Sequence, residues 1–408
     1  MRETPTAVTR IFRAGAAMAL AALVAGCVQQ PGQRTTTTPT QTAPERTVLA
    51  PGQVDPNGPV QVALLVPTGS GNAERDAIGR SLEQAARLAV ADASSVNIQL
   101  QVIPTGGNAG RAGGAAAQAI AQGADVIVGP LFSTSVAQVG PTAQAAGVPV
   151  FAFSNNPAVA GQNVYILGKT FEDSAARMLS FAAAQGRNRA GVIYTQDAEG
   201  QAALNAVQAA SRRTNAQLVA SASYPRSREG IPAAGEAFTS AMTSAGANAV
   251  VMSDRGTGLI YAASFLPFYG LDVDNVQVMG LQELSGGAIA AERALDGAWY
   301  TVADPARAEA FAARYASRYG SQPHPLAGLA YDGIAAVAAL IAEARQTGDF
   351  NVFAAQNITS PAGFAGVEGA FRFRPDGGNE RALAIMEVSR DGPQLVDPAP
   401  AAFGLAGF

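Results

Sequence analysis

Nine side chains in this 408-residue chain have the type and setting to do chemistry. Cys27, the single cysteine, closes the run ALAALVAGC. Arg2, Arg10 and Arg13 come before it, then an alanine-rich apolar stretch ending at Ala25, then Gly26. A basic start, a short apolar segment and small residues at the cleavage point make a secretion signal. The stretch is shorter than the ~20 apolar residues that span a bilayer. Val24-Ala25-Gly26-Cys27 reads as a lipobox, whose thiol takes the lipid and becomes the mature N-terminus. An ordinary secretory signal that happens to contain a cysteine is the other reading. The remaining chemistry is that of binding. Ser70, Ser133, Ser135, Ser154 and Asn155 offer hydroxyl and amide groups in three short loops, while Glu199, Asp254 and Glu283 offer carboxylates. Hydroxyls and main-chain N–H groups suit a carboxylate or other anion, and the acids suit an ammonium group. The same residue types also make ordinary turns, helix caps and solvated surface.

Catalysis is poorly served by this inventory. His324 is the only histidine, and it lies between two prolines in SQPHPLAG, an exposed loop. Serine–histidine–acid and cysteine–histidine mechanisms, and histidine- or cysteine-based metal sites, lack their parts. Hydrolase chemistry in a cleft would have no nucleophile–base pair. One cysteine also permits no intrachain disulfide. GNAGRAGG places glycines near a strand, but not at G-x-G-x-x-G spacing, and Lys169, the sole lysine, follows no phosphate-loop pattern. No enzyme activity, cofactor or metal is expected. The formal net charge is −4, and losing residues 1–26, with three arginines and one glutamate, makes it −6. Such a chain has no basic stripe, so no nucleic-acid partner is expected.

Loops and acids need strands and helices to aim them. Residues 27–58, rich in Pro, Thr and Gln, show no apolar period and read as a disordered tether after the 1–26 signal. Extended, it reaches on the order of 90 Å at most. The folded part opens with VQVALLVP at 60–67, the turn TGSGN, and a helical segment with Ile78, Leu82, Ala85 and Ala89 on one face. NIQLQVI, ADVIVGP and VPVFAFS repeat the unit. A second series has strands AGVIY, AQLVASAS, ANAVVMS, VQVMG and GAWYT, with helices at 172–185, 201–213, 231–245 and 257–269. Short apolar strands alternating with helices predict parallel sheets buried on both faces. Two more helices, 305–319 and 326–344, follow without a strand between them. GAFRFRPDGG and ALAIMEVSRDG then read as a hairpin turning at Asp376-Gly377-Gly378. Parallel sheets place ligands at the carboxyl ends of strands, where loops 68–72, 129–135 and 154–156 fall.

The stretches QGADVIVGPLFSTSVAQVGPTAQAAGVPVFAFSNN, VYILGKTFEDSAARM, LAGLAYDGIAAVAAL and FAGVEGAFRFRPDGGNERALAIMEV resemble the type I periplasmic binding proteins. The resemblance covers most of the chain after the tether. It implies an α/β fold of two lobes, each a parallel sheet flanked by helices, with three hinge crossings near 168–172, 301–304 and 358–366. The first lobe is then 59–170 plus 302–360, the second 171–301 plus 361–396, and 397–408 a tail. GPLFSTSV, SNN…VYILG and the lipobox look most like penicillin-binding protein activators, outer-membrane lipoproteins that stimulate peptidoglycan synthases. That resemblance implies a non-enzymatic regulator of peptidoglycan synthesis, lipid-anchored on the periplasmic face of a Gram-negative outer membrane, whose partner is a penicillin-binding protein. The alternative is a solute-binding lipoprotein of an ABC importer for amino acids or related amides, with a permease as partner and a small amphoteric ligand. In the amino-acid receptors, first-lobe hydroxyl and main-chain groups hold the ligand carboxylate, second-lobe aromatics close over it, and an acid pairs with its ammonium. Ser133, Ser135, Ser154 and Asn155 match the first-lobe groups. Glu199 stands where a tyrosine is usual, SDRGTG lacks the aromatic of the next loop, and Glu283 or Gln282 matches the acid.

Overall fold

A computed structural model describes residues 49–403 apart from Pro51 and Arg228. Cys27, the signal and most of the tether lie outside the described residues. The first lobe is built on β1 (Val60–Val66), β2 (Ile98–Pro104), β3 (Val126–Val128), β4 (Val150–Ala152) and β5 (Val164–Ile166). These strands are parallel, in the order β2-β1-β3-β4-β5. The helices between them are α1 (Ala73–Asp92), α2 (Ala109–Ala121) and α3 (Ser133–Ala145). β1 is apolar throughout because it is covered on both faces. Val60, Val62, Leu64 and Val66 enter one core layer with Leu82 and Ala85 of α1. Ala63 and Leu65 enter the opposite layer with Ala112 and Val139 from α2 and α3. That alternation is the two-residue period of a strand. α1 and α2 begin where the side chains of Asn72 and Asn108 accept from the N–H groups of Arg75 and Arg111.

The second lobe alternates α4 (Phe171–Ala184), α5 (Ala198–Arg213), α6 (Gly230–Ser244), α7 (Gly256–Phe268) and the short α8 (Gly287–Ala290) with five strands. These are β6 (Arg189–Thr195), β7 (Gln217–Tyr224), β8 (Ala249–Met252), β9 (Gln277–Gly280) and β10 (Trp299–Val302). They run parallel in the order β7-β6-β8-β9-β10. The chain then returns to the first lobe as α9 (Pro305–Tyr319), α10 (Ala327–Thr347) and α11 (Ala355–Ile358). α10 is long and apolar enough to cross a membrane, but 67% of its apolar window is buried in the fold. Ile334, Val337 and Ile341 of this helix share the core layer of Val62 and Leu64.

The C-terminal part departs from the sequence reading. β11 (Phe364–Gly366), β12 (Gly369–Phe373) and β13 (Asn379–Arg381) make a separate antiparallel sheet. The Asp376 turn joins β12 to β13, not to ALAIMEV. That segment, as β14 (Ala384–Glu387), pairs antiparallel with β10, and β15 (Gln394–Asp397) forms the outer edge beyond it. The small sheet belongs with the first lobe, not the second. Phe373 lies 5.0 Å from Phe151 and 5.5 Å from Tyr165, ring centre to ring centre. The phenylalanines of FRF needed an apolar face, and the first lobe provides it. The third crossing is therefore at residues 382–383, between β13 and β14, and not at 358–366. The last residues of the segment expected to be a tether belong to the fold. Val54 is 6% exposed and its N–H donates to Phe350 O at 2.8 Å, so the chain is docked before residue 58.

The crossings meet at a polar hinge. A Cβ on Gly168 would lie 2.8 Å from Ser154 O and 2.9 Å from Asn155 N, an approach that only glycine allows. Asn379 Nδ2 donates to Gly168 O at 3.1 Å. The Arg381 side chain, 2% exposed, donates through Nε to Leu167 O at 2.7 Å and through Nη1 to Asp332 Oδ2 at 3.0 Å. Glu368 Oε2 lies 3.5 Å from the same Nη1. The backbone N–H of Arg381 donates to Asp173 Oδ1 on α4, in the other lobe, at 3.3 Å. One residue thus touches both sides of the hinge.

Candidate functional site

The polar loops expected in the first lobe share the carboxyl edge of its sheet, after the neighbouring strands β1, β3 and β4. Ser70 is already occupied. Its N–H and hydroxyl both donate to Asp76 Oδ1, at 2.9 and 2.7 Å, and these bonds hold the Asp76 carboxyl below the usual carboxylate range. Ser154 is 4% exposed and its Oγ accepts from the N–H of Asn156 at 3.1 Å, whereas Asn155 is exposed. Ser133 opens α3, which has no side-chain cap. Two residues on, Ser135 is 1% exposed and its Oγ has no hydrogen-bond partner. The structure therefore gives these serines different standing. Ser70 and Ser154 fix turns, Asn155 is exposed, Ser133 is half-buried at the start of α3, and Ser135 is buried.

Across the hinge, the loops after β6, β7 and β8 are drawn together by one residue that the sequence reading did not single out. Arg226, in the loop after β7, donates through Nε to Asp254 Oδ1 at 3.0 Å, through Nη1 to Asp197 Oδ2 at 2.7 Å and through Nη2 to Glu199 Oε2 at 3.3 Å. Asp254, 2% exposed, also accepts from Tyr224 Oη at 2.9 Å and from the N–H of Arg255 at 2.9 Å. It lies so close to α7 that a Cβ on Gly258 would come within 2.6 Å of its Oδ2. Glu199 accepts from Arg255 Nη1 at 2.5 Å and from Gln282 Nε2 at 3.1 Å. Asp197 caps α5, accepting from the N–H of Gly200 and from Thr195 Oγ1, both at 2.8 Å. Burial pushes the Tyr224 hydroxyl far up, and the Asp254 charge adds to it, so Tyr224 stays a neutral donor. Of the predicted acids, Glu199 and Asp254 are thus brought into one network. The clue to Arg226 was three acids, Asp197, Glu199 and Asp254, at adjacent strand ends with only Arg255 beside them, and PRSRE after β7 was the next source of a cation.

Glu283 is not in that network. It is exposed, and its charge acts instead on the hinge side, upon Lys169 and Tyr300. Lys169 Nζ donates to Thr301 O at 2.9 Å. Burial holds its ammonium below the usual lysine range, against the opposing charges of Glu283, Glu368 and Asp173. Burial pushes Tyr300 up to about 12, Glu368 up to about 7 and Asp173 up to about 6. Among the described residues no cluster of His, Cys, Asp or Glu could hold a metal ion. His324 is half-buried rather than an open loop residue, and its Nδ1 accepts from the N–H of Leu326 at the start of α10.

The two-lobed arrangement itself is found in other proteins. An ABC transporter substrate-binding protein from Sphaerobacter thermophilus superposes with a TM-score of 0.61 at 18% identity, over 84% of this chain and 98% of that one. An ABC transporter substrate-binding protein from Desulfitobacterium hafniense, in complex with Leu, gives 0.58 at 17% identity over 83% and 100%. A solute binding protein of an ABC transporter from Rhodopseudomonas palustris BisB5, in complex with 3,4-dihydroxy benzoic acid, gives 0.52 at 18% identity over 85% and 97%. These likenesses establish the two-lobed fold. No curated protein is significantly similar to the chain in sequence. Residues 59–393 match the family described as Periplasmic binding protein, and the chain belongs to that family.

Proposed function

We propose that this protein is the solute-binding component of an ABC importer, a receptor that captures a small polar molecule between its lobes without transforming it. The observation that carries the reading is the pairing of two strand-end polar edges across a hinge made of three chain crossings, in a chain of the periplasmic binding protein family. Such a hinge lets a ligand be enclosed by rotation of one lobe against the other. The first-lobe contribution is Ser133, Asn155 and the uncapped start of α3. The second-lobe contribution is the Arg226–Glu199–Arg255 network. Lipidation at Cys27 would keep the receptor at the periplasmic membrane surface, with a permease as its partner. The test is calorimetric titration of the purified protein with amino acids, amides and small organic acids, joined to small-angle scattering. A receptor binds at least one class and becomes more compact. A panel in which nothing binds and the scattering never changes refutes the reading.

A second reading is an outer-membrane regulator of peptidoglycan synthesis that binds a penicillin-binding protein. It is supported by the ion-paired second-lobe wall, which stands where a receptor would place aromatic residues over its ligand. Crosslinking in cells followed by identification of a glycosyltransferase–transpeptidase would favour it, and recovery of permease subunits would count against it.

A further inference from the structure

The second lobe has a pocket between the start of α6 and the start of α7, at the carboxyl ends of β7 and β8. Tyr224, Ile231 and Tyr261 give it apolar surface, and Arg226 and Arg255 give it charge. The acceptors here are already occupied. Asp254 is buried beneath three donors, and Glu199 is held by Arg226, Arg255 and Gln282. The donors are not. The Arg255 side chain is 61% exposed and has one ion-paired nitrogen, and the Arg226 side chain is 39% exposed. A guanidinium offers five N–H groups in a plane, so both arginines keep donors to give. An ammonium group entering this pocket would meet two cations and carboxylates whose oxygens are engaged. A carboxylate would meet the fork of Arg255, the geometry that guanidinium recognises best. Of the predicted acids only Asp254 lines the pocket; Glu199 holds its arginines from outside the lining, and Glu283 lies outside it as well.

We propose that this pocket receives the acidic group of the solute, with Arg255 as the residue that determines specificity, so that the ligand is an organic acid with an apolar or aromatic body rather than a zwitterionic amino acid. The proposal rests on the solute-receptor reading above and narrows it. Matched probes that differ only by an α-ammonium group decide it: 3-phenylpropanoate against phenylalanine, and 4-methylpentanoate against leucine. Titration calorimetry on the purified protein is expected to show tighter binding of the acid in each pair. Arg255→Gln is expected to weaken acid binding by about 10- to 100-fold, the scale of a lost charge-assisted hydrogen bond. Arg255→Lys, which keeps charge but not the fork, recovers only part of it. Thermal melting of each variant without ligand checks the fold, which an exposed side chain should leave intact. Tighter binding of the amino acid in both pairs, or acid binding that Arg255→Gln does not change, overturns the proposal and leaves the receptor reading standing. Binding of neither member of either pair overturns the proposal, and the broader titration panel then decides the receptor reading separately.

Discussion

Replacing Asp332 by alanine removes the deepest charge in the hinge while leaving its partner in place. Asp332 is fully buried, its Oδ2 accepts from Arg381 Nη1 at 3.0 Å, and its Oδ1 accepts from the N–H of Val367 at 2.7 Å. Removing one member of a buried ion pair costs ~3–5 kcal/mol, because the other charge stays desolvated. Glu368, 3.5 Å from the same nitrogen, remains and offsets part of this. The orphaned Val367 N–H adds ~1–3 kcal/mol. A net loss of about 4 kcal/mol is therefore expected. With an unfolding entropy of ~2.1 cal/mol/K per residue over roughly 350 residues, the midpoint should fall by about 5 °C if both lobes melt together. Scanning calorimetry and urea titration measure it, alongside Arg381→Met and the double variant. The double variant should be more stable than the sum of the single losses predicts, since it buries no unpaired charge. A single-variant loss under about 1 kcal/mol, or strictly additive losses, would refute the claim that this pair is coupled and buried.

Other perturbations follow from the same geometry. Burial raises Glu368 to about 7 and Asp173 to about 6 in the folded protein, so the native state binds more protons than the unfolded chain between roughly pH 4.5 and 7. Their contribution to stability is complete below the unfolded values and lost as pH rises through the folded ones. Glu368→Gln should flatten this loss by about 1–3 kcal/mol between pH 5 and 8 in urea titrations, and an unchanged slope would contradict it. Gly168→Ala forces a Cβ against the backbone of Ser154 and Asn155 and should lower stability by ~1–3 kcal/mol in the same assay. Arg226→Ala leaves buried Asp254 with two donors instead of three and should lower stability by ~1–3 kcal/mol. Arg226→Lys should not restore it, because one ammonium cannot span three carboxylates held in a guanidinium's directions.

Much of the architecture was legible because the strands and helices carry their own periods. β1 alternates between two apolar layers, and β6 does the same, with Ile193 in one layer and Val192 in the other. α9 ran over 305–319 as its pattern indicated, with Pro305 at its first position and Asp304 capping it. The third crossing was not legible. The strands on either side of residues 382–383 are three and four residues long, too short to show a period, and only tertiary packing on Phe151 assigns Phe373 to the first lobe. For the candidate site, position was legible and partnership was not. The strand pattern put Ser133, Asn155, Glu199 and Asp254 at strand ends, as the structure has them, but the donor that joins Glu199 to Asp254 is Arg226. That residue comes from a loop 27 residues beyond Glu199. Asp332 was hidden for another reason: within LAYDGIAAV it reads as a polar interruption of an apolar helix, and its partner lies 49 residues away.

The position of α10 has a consequence for how the chain matures. The face of β1 that carries Val62 and Leu64 is closed by Ile334, Val337 and Ile341, from nearly the other end of the polypeptide. During synthesis, α1 can begin to cover that face, but its burial is complete only once residues 327–347 have emerged. The core of the first lobe is therefore incomplete for most of the chain's synthesis. Placing the closing helix late in the chain keeps the polypeptide pliable until it is nearly complete.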